Sequence, residues 1–318
     1  MGFSISGKFE TFQQITSKTI SPSKIKFSTF VITGQGNNIN PSITKFDLKG
    51  NFQSVSSVNT GNRVHGIALD DNQNIYLGGR GREVIKLDKD LNLLWVNSSH
   101  RTTIRCIAVD TTGNVYSGSN DNTVQKIDKN GNQIWVFTGH SSSVLSVAVD
   151  ISGNVYSASN DNTVRKIDPN GNEIWVFSGH SSSVWSVAVD NFKNVYSGSS
   201  DHTLRKIDRN GNEIWKFTGY SSTVSSIVVD NFGNVYSGSW DDTVRKIDPN
   251  GNEIWKIPGN NGKIFAIDLD SSKNVYFTGK GGSLIKVNNN GNEIFNVDTT
   301  LGITRSLAVS PGLIGAGF

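Results

Sequence analysis

The stretch "DPNGNE", Asp168–Glu173, packs two carboxylates and two amides into one short segment, the composition of a calcium loop. A calcium loop needs a later glycine and a closing bidentate Glu, because its oxygen ligands must surround the ion. Here Gly171 comes too early and no such Glu follows, so the stretch reads as a hairpin turn. Cys106 is the only cysteine, which excludes an intrachain disulfide framework and a multi-cysteine metal site. It stands in "IRCIAVD" where later copies of the same phrase have Ser146, Ser186 and Ser226, so it reads as a small buried residue rather than a reactive thiol. His65 and His202 are histidines whose positions do not recur, and the sequence assigns neither a carboxylate partner. No metal site and no catalytic residue is assigned.

Charge narrows the function classes further. Lys and Arg total 30 against 27 Asp and Glu, a net charge of +3, with the basic residues spread along the chain. Nothing in that spread suggests a phosphate-binding stripe, so no nucleic-acid partner is expected. No apolar run approaches the roughly 20 residues of a membrane span. The opening "MGFSISGKFETF" has no continuous apolar segment and does not read as a signal peptide. The expected location is cytoplasmic or virion-associated.

The residues that carry the organisation recur at a fixed period. Trp95, Trp135, Trp175, Trp215, Trp255 and Phe295 lie 40 apart, as do Asp88, Asp128, Asp168, Asp208 and Asp248, with Asn288 continuing the second series. Each unit splits into four short runs, for example "VLSVAVD", "NVYSAS", "TVRKID" and "NEIWVF", rich in Val, Ile, Tyr and Trp as half-buried strands are. Turn signals separate them: "ISGN", "NDN" and "PNGN", the last with an Asn-Gly pair suited to positive φ. No helical periodicity is present. A four-stranded sheet repeated every 40 residues buries both faces only by stacking around an axis, which predicts an all-β β-propeller with the recurring Trp filling the gap between blades.

Complete units run over 62–99, 100–139, 140–179, 180–219, 220–259 and 260–299. The remaining segments, 27–58 and 300–318, predict a seventh blade assembled from both termini, closing a single domain over 27–318. "ITRSLAVS" matches a first strand and "SITKFDLKGNFQSV" the last two. Two segments compete for the second strand, "GLIGAGF" at the C-terminus and "FSTFVITGQG" from Phe27 to Gly36. Residues 1–26 lie outside the repeat and read as an arm.

The phrases "GH", "SVAVD", "GNVYSAS", "NDNTV" and "KID" resemble WD-repeat propellers over most of residues 60–318. The match departs at the name-giving dipeptide, where Ile-Asp replaces Trp-Asp (Ile127-Asp128, Ile167-Asp168, Ile207-Asp208, Ile247-Asp248). "NVYSGSNDNTVQKIDKNGNQIW" is similar to pyrroloquinoline-quinone-type propeller repeats. The WD-repeat resemblance implies one hydrogen-bonded set per blade: His100, Ser117 and Asp121; His140, Ser157 and Asp161; His180, Ser197 and Asp201. The fifth blade keeps Ser237 and Asp241 but has Tyr220 for His, and the first and sixth have Gly81 and Gly281 for Asp. A His, an Asp and a Ser could form a hydrolytic triad. An active site is needed once, however, whereas this trio recurs in three blades, as a network locking loops would. Quinone enzymes of the second family are larger and usually carry adjacent cysteines, so no cofactor is assigned.

Three positions vary between copies that are otherwise nearly identical. One reads His65, Arg105, Leu145, Trp185, Ser225, Phe265; the next Arg80, Asn120, Asn160, Ser200, Trp240, Lys280; the third Arg82, Asn122, Asn162, His202, Asp242, Gly282. The WD-repeat resemblance implies that the first two surround the channel mouth on one ring face. Arg105, Leu145, Trp185, Trp240 and Phe265 are therefore the candidate partner-binding residues, of the types that anchor interfaces. Phe192 and Phe232, in the first hairpins, should point to the opposite face, as a second contact or packed under a loop. The expected function is a non-catalytic scaffold binding another macromolecule, a protein foremost. The alternatives are a structural or host-attachment module of a larger particle, incorporated through residues 1–26 and taking a carbohydrate receptor, and a channel-mouth hydrolase or lyase.

Overall fold

The computed structural model of the chain describes residues 29–34, 42–47, 49–57, 64–259, 262–298 and 304–309, in which every regular element is a β-strand. Six four-stranded antiparallel blades, here blades 1 to 6, follow one another from Val64 to Asp298 and form an all-β propeller. Blade 3 is representative. Its strands, Val144–Val149, Val155–Ser159, Val164–Ile167 and Glu173–Phe177, pair each with the next. The second strand is buried along its whole length, because it has a strand on either side and a blade against each face. The fourth strand is the outer edge, and its exposed Ile174 and Val176 alternate with the inward Trp175 and Phe177.

Turn chemistry makes the blade compact. Each hairpin closes through a residue of positive φ: Gly153 at 79°, Asn162 at 67° and Gly171 at 94° in blade 3. Asn and Gly tolerate this left-handed region best, which explains why "NDN" and "PNGN" recur. The position just after the turn Asp, variable in sequence, is uniformly left-handed: Arg82, Asn122, Asn162, His202, Asp242 and Gly282 all have φ between 63° and 74°. The Asp before each third hairpin satisfies the turn. In blade 3, Asp168 Oδ1 accepts the N–H groups of Asn170 (2.9 Å) and Asn172 (2.8 Å), and Oδ2 accepts from Asn172 Nδ2 (2.9 Å).

The hydrophobic core lies between blades rather than within them. One cluster joins Tyr116, Val124 and Phe137 of blade 2 to Val144, Val147, Val155 and Ile167 of blade 3. At its rim Trp135 donates Nε1–H to the Pro169 carbonyl of the next blade (3.0 Å), and Lys126 Nζ donates to the same oxygen (3.2 Å). Corresponding Trp bonds run from Trp95 to Lys129, Trp175 to Arg209, Trp215 to Pro249 and Trp255 to Asn289.

The chain ends form one further sheet. Thr304–Val309 pairs with Thr29–Gly34, which pairs with Ser42–Asp47, which pairs with Phe52–Ser57. Of the two competing segments, the one at Thr29–Gly34 takes the second place; "GLIGAGF" lies outside the described residues, as does the 1–26 arm. Leu307, Val309 and Phe46 pack with Ala266 and Tyr276 of blade 6, and Ala308 packs with Val64 and Ile67 of blade 1. Phe295, which has no N–H to donate, lies against Gly50 (φ 85°), where an added Cβ would stand 3.2 Å from its ring.

Gly171 has a Trp above it as well as a positive φ: a Cβ there would come within 3.1 Å of the Trp135 ring. At Gly153 the nearest atom would be Pro169 Cγ at 3.6 Å, which is ordinary contact. Gly153→Ala should therefore lose about 1 kcal/mol from conformation alone, and Gly171→Ala about 2–3 kcal/mol. Urea unfolding of the two variants measures the difference; equal losses would mean that the Trp contact contributes nothing.

Candidate functional site at the channel mouth

The first strands of the blades line a central channel of ≈ 300 Å³, with Thr304–Val309 contributing Ser306 to Val309 to its wall. Hydroxyls stitch neighbouring strands together: Ser146 Oγ accepts the Val187 N–H (3.2 Å), Ser186 that of Ile227 (3.0 Å) and Ser226 that of Ile267 (3.2 Å). Cys106 occupies the corresponding place in blade 2, and burial pushes its thiol up to about 12, an unreactive state.

At the end where the first strands begin, a cavity of ≈ 110 Å³ is lined by His65, Arg105, Leu145, Trp185, Ser225, Trp240 and Phe265. The fold thus brings Arg105, Leu145, Trp185, Trp240 and Phe265 together around one opening. The first-strand side chains come from successive blades at one register. Trp240 joins them because the turn after each second strand folds back: its N–H donates to the Thr223 carbonyl at 2.9 Å. Trp185 and Trp240 meet edge to face, with centroids 4.8 Å apart at 62°. Trp185 Nε1 donates to Ser200 Oγ (2.7 Å), while Lys263 Nζ sits 4.1 Å above the Trp240 ring. Trp240 Nε1 is buried without an acceptor among the described residues.

The implied His–Ser–Asp sets lie beneath this face. His140 Nδ1 donates to Asp161 Oδ2 (2.8 Å), and its Nε2 accepts from Ser157 Oγ (2.8 Å); His180 does the same with Asp201 and Ser197, and His100 with Asp121 (2.9 Å) and Ser117 (2.8 Å). All three His side chains and all three serines are fully buried. Burial opposes ionisation of Asp121, Asp161 and Asp201, yet hydrogen bonds from the His and Thr partners outweigh it and hold each carboxyl well below the usual range. Burial, outweighing the attraction of Asp201, lowers His180 and favours the neutral ring that accepts from Ser197. In blade 5 Tyr220 reaches Ser237 in place of His, and Arg245 pairs with Asp241 (3.4 Å), as Arg205 does with Asp201 (3.5 Å), while stacking on the Tyr220 ring (4.6 Å).

One channel residue escaped the sequence reading. The wall position reads Ala68, Ala108, Ala148, Ala188, Val228, then Asp268, then Ala308. A single carboxylate among small apolar residues was the available signal. Its Oδ2 accepts the Val309 N–H (2.8 Å) and its Oδ1 that of Leu269 (2.8 Å), tying blade 6 to the C-terminal strand. Burial pushes its carboxyl up to about 6, against the lowering effect of those two donors.

On the opposite face Phe192 and Phe232 are 70% and 61% exposed, so neither is packed under a loop; Lys273 Nζ lies 3.5 Å over the Phe232 ring. No group of three or more His, Cys, Asp or Glu among the described residues is placed to hold a metal. No helix among them is long and apolar enough to cross a membrane.

Asp268 and the buried Asp sets have opposite pH signatures. Stability from Asp121, Asp161 and Asp201 is present above the ordinary carboxylate range and is lost as pH falls. Asp268, raised on folding, contributes stability that is full below about pH 4 and lost as pH rises through about 6. Asp268→Asn keeps an acceptor for Val309 but cannot ionise. Relative to the parent, it should gain about 2–3 kcal/mol between pH 4 and 7. Parallel stability–pH curves from chemical unfolding would exclude this.

A family model described as the outer membrane protein assembly factor BamB, built on quinone-type propeller repeats, matches residues 40–175 and again 160–308. The chain belongs to that family of repeats. Among curated proteins none matches the chain. Among solved structures it is similar to the WD40 β-propeller domain of Doa1, with a TM-score of 0.69 and 21% identity over 79% of this chain and 86% of that one. At that identity the likeness concerns the fold alone.

Proposed function

We propose that this member of the family is a non-catalytic scaffold whose channel-mouth face docks another protein, on a closed seven-bladed ring. The supporting observation is the convergence at one opening of Arg105, Leu145, Trp185, Trp240 and Phe265. In sequence these occupy the positions where one copy differs most from the next. A framework that repeats and an aromatic opening that does not is the division of labour of a binding module.

The seventh blade in this reading is the sheet of Thr304–Val309 with Thr29–Gly34, Ser42–Asp47 and Phe52–Ser57. Its packing against both blade 6 and blade 1 supports closure. A ring sewn by both chain ends holds the opening rigid, which lowers the ordering cost of docking.

A hydrolytic role is disfavoured by the burial of Ser117, Ser157 and Ser197, whose hydroxyls no substrate can approach without the blade opening. Each has its His as a structural partner.

Trp185→Ala combined with Trp240→Ala should leave the circular dichroism spectrum and unfolding midpoint close to those of the parent. It should weaken partner capture by at least about a hundredfold, the scale of losing two hot-spot aromatics. Capture from the native source, with parent and variant as baits, measures it. An undiminished partner band on the variant would rule out this face.

A further inference from the structure

The basic residues, dispersed in sequence, are gathered by the fold. Arg80 and Arg82 lie on the turn after the second strand of blade 1, the turn that carries Trp240 and Asp242 in blade 5. Arg101 precedes the first strand of blade 2, with its N–H on Asp121 (2.9 Å), and Arg105 lines the opening. Lys280 of blade 6 is joined to Lys263 through its N–H (2.9 Å). Arg80, Arg82, Arg101, Lys263 and Lys280 are exposed, and none forms an ion pair among the described residues.

Most acids on the same side are already engaged, although Glu83, next to Arg82, accepts from Ser98 Oγ (3.5 Å) and Asp298 of blade 6 is exposed. Asp161 and Asp201 hold His140 and His180, and Asp241 holds Arg245. Asp242 Oδ1 accepts the Gly262 N–H at 2.9 Å. The face therefore carries exposed cations on blades 1 and 2 (Arg80, Arg82, Arg101) and on blade 6 (Lys263, Lys280), with the sheet of the chain ends between the two groups, and an apolar cluster of Leu145, Trp185, Trp240 and Phe265 at its opening.

We infer that the mouth face recognises an acidic protein segment, which seats one apolar side chain in the opening and lays its carboxylates on Arg80, Arg82 and Arg101 on one side and on Lys280 on the other. This rests on the docking reading above and names the chemistry of its partner. The opening of ≈ 110 Å³ suits a single side chain, being well below the volume of a small-molecule pocket. Trp185 and Trp240 turn toward each other, and Lys263 covers the Trp240 face, so neither ring offers an open platform for stacking a base. Complementary charge would steer the segment in and fix its register, and the apolar anchor would slow its release.

The test is selection of a displayed random peptide library on the immobilised full chain. Parallel selections use Arg80→Gln/Arg82→Gln/Lys280→Gln and Trp185→Ala/Trp240→Ala. The parent should enrich peptides with several Asp or Glu flanking one Leu, Ile, Met or aromatic residue. The triple Gln variant should bind a selected peptide at least about tenfold more weakly at ~0.05 M salt, with the gap largely closed at ~0.5 M. The double Ala variant should keep the acidic bias and lose the anchor preference. Enrichment of apolar peptides without acids would overturn this inference and leave the docking face standing. No enrichment on the parent, or enrichment unchanged by both variants, would overturn both. A labelled single-stranded DNA that binds the parent more tightly than the selected peptides would overturn the inference in favour of nucleic acid.

Discussion

The carbonyl oxygen of Pro169 receives both the indole N–H of Trp135 and the ammonium of Lys126, each from the preceding blade. This repeated clasp is the constraint on which the structure depends. A single blade has two apolar faces and no means of covering either. The clasp fixes the angle at which the next blade covers one of them, because an aromatic and a cation must reach one backbone oxygen together. The same Lys lies over the buried Tyr116 ring (5.5 Å), and Tyr116 donates to Asp110 (3.0 Å). Turn, core and clasp are thereby one connected unit. At the last position the clasp changes character: Phe295 has only a ring to offer, and Gly50 supplies a flat surface for it.

Polar groups buried inside the blades do a second job. His140, Ser157 and Asp161 join the loop between blades to the turn that carries the variable side chains. The turn is held from below, leaving its exposed residues free to differ. Blade 5 shows how far the arrangement can be rewritten. Tyr220 does not reach Asp241 as His does, so Arg245, which pairs with that carboxylate as Arg205 does with Asp201, stacks on the Tyr ring as well. Blade 5 is also the blade that presents Trp240 to the channel mouth.

Charge follows the same logic of a uniform frame with local exceptions. At the register of Asp268 the other first strands carry Ala or Val, and among the described residues that line the channel it is the one carboxylate, with two backbone donors for company. It stands at the joint between blade 6 and the C-terminal strand. On the mouth face, cations that are scattered in sequence come to one side of the fold. Successive blades present the same turn to the same face, and most of the acids there are held by His, Arg or backbone partners.

The sequence alone determined the period, the four strands of each unit, the left-handed turn glycines and the fold class. Each of these follows from local chemistry repeated in register: alternation, Asn-Gly pairs and aromatics every 40 residues. The five candidate residues at the mouth were also legible, through a resemblance and through differences between copies. Other features needed the three-dimensional arrangement. Sequence could not choose between "FSTFVITGQG" and "GLIGAGF", because both carry the same alternation and only packing against Thr304–Val309 distinguishes Thr29–Gly34. Nor could it find the Lys126 clasp, the engagement of Asp242 or the cations that share the mouth face. Those depend on which loops the propeller brings to one face, and distance along the chain says nothing about distance around its axis.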